Sequence, residues 1–169
     1  MRKVYDILTG VILVICLVCI VGIGGLYLMG KTPRVIVSGS MEPEIHTGSL
    51  AFIDTNVSYE DIEENDIVAF ENENGDMVVH RAIAVTDGGI ETQGDANDVS
   101  DGVTTTEDNF YGQYLFSIPN IGYLLFAIKS RRGIIICVTA IIVYALLGVI
   151  IGDDSDKDKE KQETKEATS

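Results

Sequence analysis

A chain of 169 residues with a formal net charge of −14 at pH 7 holds one domain of moderate size and little more. Between residues 30 and 129, 18 Asp and Glu stand against Lys31, Arg34, Arg81 and Lys129, which excludes nucleic-acid phosphate as a partner. All three cysteines, Cys16, Cys19 and Cys137, lie in apolar runs, so the segment between those runs has neither a disulfide nor a cysteine-based metal site.

Arg2 and Lys3 open the chain, and residues 7–29 then form an uncharged apolar run of 23 positions. That is longer than the roughly 18–20 residues a helix needs to cross the hydrocarbon layer. A cleaved signal has a core of about 7–15 residues. The small-x-small site Gly22-Ile23-Gly24 also lies inside the run, with Leu26-Tyr27-Leu28-Met29 still to come. Residues 7–29 are therefore read as an uncleaved transmembrane helix, with residues 1–6 in the cytoplasm by the positive-inside rule. Cys16 and Cys19 have the spacing of a redox pair, but a thiol in lipid is an ordinary small apolar side chain.

Residues 30–129 read as a mostly β domain. Short stretches rich in β-branched or aromatic residues predict strands over 35–37, 50–53, 67–70, 77–85, 90–92 and 114–118. Asn74-Gly75 and Asp87-Gly88-Gly89 are hairpin-type turns. Residues 58–64 make at most one polar helical turn, and the acidic stretch 94–108 reads as a long surface loop. A second apolar run, residues 133–151, predicts a second transmembrane helix. Lys129, Arg131 and Arg132 at its start set the charge rule against the first helix, so charge alone leaves orientation divided. Residues 153–169, with four lysines and seven acids, read as a disordered tail.

The stretch VIVSGSMEP, residues 35–43, carries the first chemical signal. Strand alternation puts Ile36, Ser38 and Ser40 on one face. The same rule in 77–85 sets His80 beside Val78, Ala82 and Ala84, a face of small side chains with room for an extended peptide. A serine is a weak nucleophile until a base takes its proton. No lysine lies between Lys31 and Lys129, so the bases available are His80, His46 or a carboxylate. Residues alone leave two readings open: a Ser–His site, or turn serines beside a structural histidine.

VIVSGSMEPEIHTGSLAFI, VVHRAIAV and GDANDVSD, in that order and spacing, resemble the signature boxes of the signal peptidase I family. More narrowly they resemble its ER-type branch, known from archaea, the eukaryotic signal peptidase complex and some Gram-positive bacteria. The closing Ile118-Pro119-Asn120-Ile121-Gly122-Tyr123 is similar to the family's end-of-domain segment. Together the boxes cover most of residues 30–128. The resemblance implies a small signal-peptidase-like β domain between two transmembrane α-helices. It implies Ser40 as nucleophile, His80 as general base, and the Ser38 hydroxyl with the Ser40 backbone N–H as oxyanion donors. Asp101 is the implied orienting acid, with Asp95 as the alternative, and His46 falls on a non-catalytic turn position. Met41 lies either near the bilayer surface or in plain packing. No metal and no cofactor are implied. The substrates are preproteins whose signal peptides end in small-x-small, cut on the outer face of the cell membrane, with membrane lipid and partner membrane subunits as further associates. Two rival readings remain: a tethered non-enzymatic β-domain binding module, and a regulatory or self-processing serine protease.

Overall fold

The structure, a computed structural model, describes residues 2–166, and of these the side chains up to residue 151. It forms two compact units, one built on residues 23–126 and one on the described residues before and after them.

Helix α1 (Arg2–Leu28) and helix α3 (Arg131–Glu166) carry the two apolar runs. The windows Arg2–Leu28 and Arg131–Ile151 are long and apolar enough to cross a membrane, and neither is covered by protein. Both fit a membrane-associated protein. Within this unit Tyr5 stacks on Tyr144 with ring centroids 4.9 Å apart, and its hydroxyl donates to the Tyr144 carbonyl at 3.2 Å. Thr9 Oγ1 lies 2.5 Å from the Tyr144 hydroxyl. Interhelical hydrogen bonds of this kind add to the van der Waals packing that associates helices in lipid. The backbone of the segment expected as a tail from residue 153 continues α3 to Glu166; residues 167–169 lie outside the described residues.

Among the described residues, seven strands form one antiparallel sheet in the order β1-β2-β7-β3-β4-β5-β6. They are β1 (Lys31–Val35), β2 (Leu50–Asp54), β3 (Ile67–Glu71), β4 (Met77–Thr86), β5 (Gly89–Gln93), β6 (Gly102–Thr105) and β7 (Phe110–Ile118). Strand β3 lies in the middle, and alternation splits its apolar run between two cores. Ile67 and Ala69 join Met41, Ile45, Ala51, Ile53 and Val79 on one face, while Val68 and Phe70 join Ile62, Ala82 and Ile90 on the other. A strand buried on both faces reads as a continuous hydrophobic word, which is what IVAF is.

The structure differs from the sequence-based expectation at four places. The first strand is Lys31–Val35 rather than 35–37, because Pro33 and two basic residues disguise an edge strand, the place where proline is tolerated. Ser38 and Ser40 therefore sit in a turn after the strand, not on it. Strand β6 lies inside the stretch expected to be loop, formed by Val103, Thr104 and Thr105. Helix α2 (Ile121–Lys129) follows β7 and was not expected. Residues 59–61 form the single polar turn, of 3-10 type.

Candidate active site

Residues 38–48 after β1 form a compact run of turns held from beneath. Met41 and Ile45 point into the first core, 1% and 0% exposed, and the Ile45 N–H donates to the Met41 carbonyl at 2.8 Å. Above them the Glu42 carboxylate accepts the Thr47 N–H at 2.9 Å and lies 2.5 Å from His46 Nδ1. Those bonds, the Thr47 N–H first, hold the Glu42 carboxyl below the usual carboxylate range. His46 is thereby accounted for as a turn residue. Of the two places considered for Met41, the structure gives the packed one.

With the turn fixed, Ser38 and Ser40 face the same opening, their hydroxyls 3.3 Å apart. Strand β4 supplies His80, whose Nε2 is 2.9 Å from Ser40 Oγ. The imidazole is 8% exposed and its edge or face meets Phe70 at 6.4 Å between centroids. On the other side of the ring, Nδ1 lies 2.5 Å from Asp101 Oδ2. Hydroxyl, imidazole and carboxylate thus stand in one line, with residues 40, 80 and 101 brought together from a turn, a strand and a loop.

Asp95, the alternative acid, is engaged elsewhere. Its two oxygens accept Arg81 Nε at 2.8 Å and Nη2 at 2.6 Å, a bidentate pair that raises the Arg81 pKa, its hydrogen bond to Asp95 being the main cause. Alternation sends neighbours His80 and Arg81 to opposite faces, so each meets a different aspartate.

The open space beside Ser40 is a groove of about 530 Å³ between the Arg34–Ser38 stretch and the Met77–His80 half of β4. In that half β4 pairs with β3 along one edge, while β5 pairs with it only from Arg81 onward. Among the described residues, no strand pairs with the other edge of Met77–Val79. Of the small face proposed from alternation, Val78 and His80 line this groove, whereas Ala82 is fully buried in the second core, against Ile62 and Ile90.

Over 97 residues the chain is 31% identical to Signal peptidase I W of Bacillus subtilis (strain 168), covering 54% of this chain and 51% of that protein. Over 73 residues it is 44% identical to the signal peptidase complex catalytic subunit SEC11C of Homo sapiens, covering 40% of this chain and 38% of the relative. SEC11C of Canis lupus familiaris matches with the same figures. No protein-family model matches the chain. The comparisons support the signal peptidase I family, in its ER-type branch. The chain spans about half or less of the length of the signal peptidases it matches.

Read against the signal peptidase boxes, two features of this site lie beyond what the motifs disclose. The Gly94-Asp95-Ala96-Asn97 turn touches Ser40 directly: the Ala96 N–H donates to the Ser40 carbonyl at 2.8 Å. The Asp101 carboxylate has a second neighbour, Thr92 on β5. A glycine before an aspartate is a hint of close backbone approach; a threonine in a strand carries no comparable signal, being an ordinary strand former.

Proposed function

We propose that this chain is a membrane-anchored serine endopeptidase that removes signal peptides from preproteins, cutting after small-x-small. The observation that carries the reading is the line of short contacts from Ser40 through His80 to Asp101. Its relatives are named as signal peptidases, which supports the same chemistry.

In this mechanism Ser40 Oγ attacks the scissile carbonyl as its proton passes to His80 Nε2. Asp101 accepts the Nδ1–H, which leaves Nε2 as the basic nitrogen and stabilises the imidazolium that forms. The Ser40 backbone N–H and the Ser38 hydroxyl receive the tetrahedral oxyanion, an interaction worth roughly 10²–10³ in rate for one donor. His80 then gives its proton to the leaving amine. It next takes a proton from water as that water attacks the acyl-enzyme, and returns it to Ser40 Oγ as the carboxylic product leaves. The substrate lies in the groove as an added strand along the unpaired edge of Met77–Val79.

Residues 7–29 and 133–151 anchor the protein in the cell membrane, with the N-terminus in the cytoplasm and the β domain, residues 30–129, outside. Preproteins threaded through the same bilayer are the substrates this placement suits. Because one relative is named as a subunit of a complex, partner membrane subunits belong to the proposal as well.

The test is co-expression with a preprotein and N-terminal sequencing of the product. Ser40→Ala should abolish processing at the small-x-small site while the protein still accumulates in the membrane. Processing that continues unchanged in the variant would overturn the reading.

A further inference from the structure

Thr92 is fully buried on β5, where a valine would fit the space and suit a strand at least as well. A buried hydroxyl is costly unless it is bonded. The Thr92 hydroxyl donates to Asp101 Oδ2 at 2.9 Å, the same oxygen that faces His80 Nδ1. It has one proton, and that proton is spent on the carboxylate. The contact with Thr104 Oγ1 at 2.8 Å therefore runs the other way, with Thr104 donating and Thr92 accepting. The backbone adds a second tie, since the Asp101 N–H donates to the Thr92 carbonyl at 2.8 Å. One residue thus grips Asp101 at both its main chain and its side chain.

We propose that Thr92 is a positioning residue for the peptidase reaction, with Thr104 behind it; the inference rests on the serine-peptidase reading above. Asp101 comes from an irregular segment between β5 and β6, where nothing regular fixes its side-chain torsion. Two donors converging on one oxygen fix that torsion and aim the oxygen at Nδ1. Donation from Thr104 polarises the Thr92 hydroxyl and strengthens its bond to the carboxylate. The order Thr104, Thr92, Asp101, His80, Ser40 is then one chain of hydrogen bonds whose last member is the nucleophile.

The experiment uses the full chain in detergent micelles and a synthetic preprotein with a small-x-small site. It measures kcat and KM separately, and the proton resonance of the His80 Nδ1–H. Thr92→Val should lower kcat by about tenfold or more with KM unchanged, the scale of losing a hydrogen bond to a charged group. The Nδ1–H resonance should move upfield or vanish by exchange. Thr92→Ser should restore most of both. Should Thr92→Val fail to fold, Thr104→Val serves instead, with a smaller fall in kcat and the same direction of shift. Wild-type kcat and an unmoved resonance in the variant, while Ser40→Ala is inactive, would overturn the role of Thr92 and leave the peptidase reading standing. If Ser40→Ala itself processes normally, the peptidase reading fails, and the resonance alone decides whether Thr92 holds Asp101.

Discussion

Gly94 lies flat against the backbone of Ser40: a methyl group on Gly94 would stand 2.6 Å from the Ser40 carbonyl oxygen and 3.0 Å from its Cβ. The neighbouring Ala96 N–H holds that same carbonyl. Glycine is required here by space alone. The obstructing atoms include main chain, which moves only if Ser40 moves with it. Gly94→Ala should therefore reduce processing by about 10² or more, the effect of shifting a reacting group by an ångström. Thermal unfolding should fall only modestly, by about 1–3 kcal/mol for a local overpacking. An alanine variant with full activity would show that the turn does not fix Ser40.

Of the three aspartates in GDANDVSD, the two weighed as the orienting acid separate cleanly by partner. Asp101 faces His80 and Asp95 is clamped by Arg81. Asp101→Ala should cost roughly 10³–10⁴ in kcat, as removal of the orienting acid does in the serine protease triad. Asp95→Ala should cost less, because it acts on Ser40 only through the turn it braces. Arg81→Ala should resemble Asp95→Ala, and the double variant should lose little beyond either single one. Kinetics on these four proteins check the assignment, and equal losses for the two single aspartate variants would contradict it.

The parts legible in the sequence were those set by local pattern. Five of the predicted strands fall on β2, β3, β4, β5 and β7, because alternation and turn residues are encoded within a few positions. Local pattern left Ser40 and His80 as open candidates beside Ser38 and His46, and only the resemblance of the boxes gave them roles. What stayed hidden depends on contacts distant in the chain. Pro33 looks like a strand breaker until β1 is seen to be an edge. Val103 and Thr105 read as loop until β5 pairs with them. The resemblance favoured Asp101 over Asp95, but the contacts that separate them turn on which face of β4 each loop residue meets. Alternation grouped Val78 with Ala82 as the structure does, but it could not show that Ala82 is covered by Ile62 and Ile90 instead of open to a peptide.

Lys31 and Asp54 face each other across the β1–β2 pair, directly in register, and join through a side-chain bond. That bond to Lys31 is the chief reason the Asp54 carboxyl titrates below its ordinary value. A carboxyl whose folded pKa is depressed contributes stability above its unfolded pKa of about 3.9, and the contribution is lost as pH falls through the folded value. Asp54→Asn should therefore be less stable than wild type near pH 7. The gap should close as pH drops below about 4. Melting curves of both proteins from pH 7 to 2 check this, and a gap that persists at pH 2 would assign the loss to something other than the charge.

Met41 joins the site to the core. It follows Ser40 directly, is 1% exposed, and packs with Ile36, Ile45 and Val79 beneath the groove. Truncation to alanine removes most of a buried side chain and leaves a cavity, a loss of about 2–5 kcal/mol. The cavity opens under the nucleophile, so the turn is free to sink toward it. Met41→Ala should lower both melting temperature and kcat, whereas Met41→Leu, which conserves volume, should keep most of each. A membrane-contact role for Met41 predicts the reverse pattern: a melting temperature near wild type, with activity lost only in lipid. Comparing the two variants in detergent and in liposomes separates these outcomes, and the burial of the side chain favours the first.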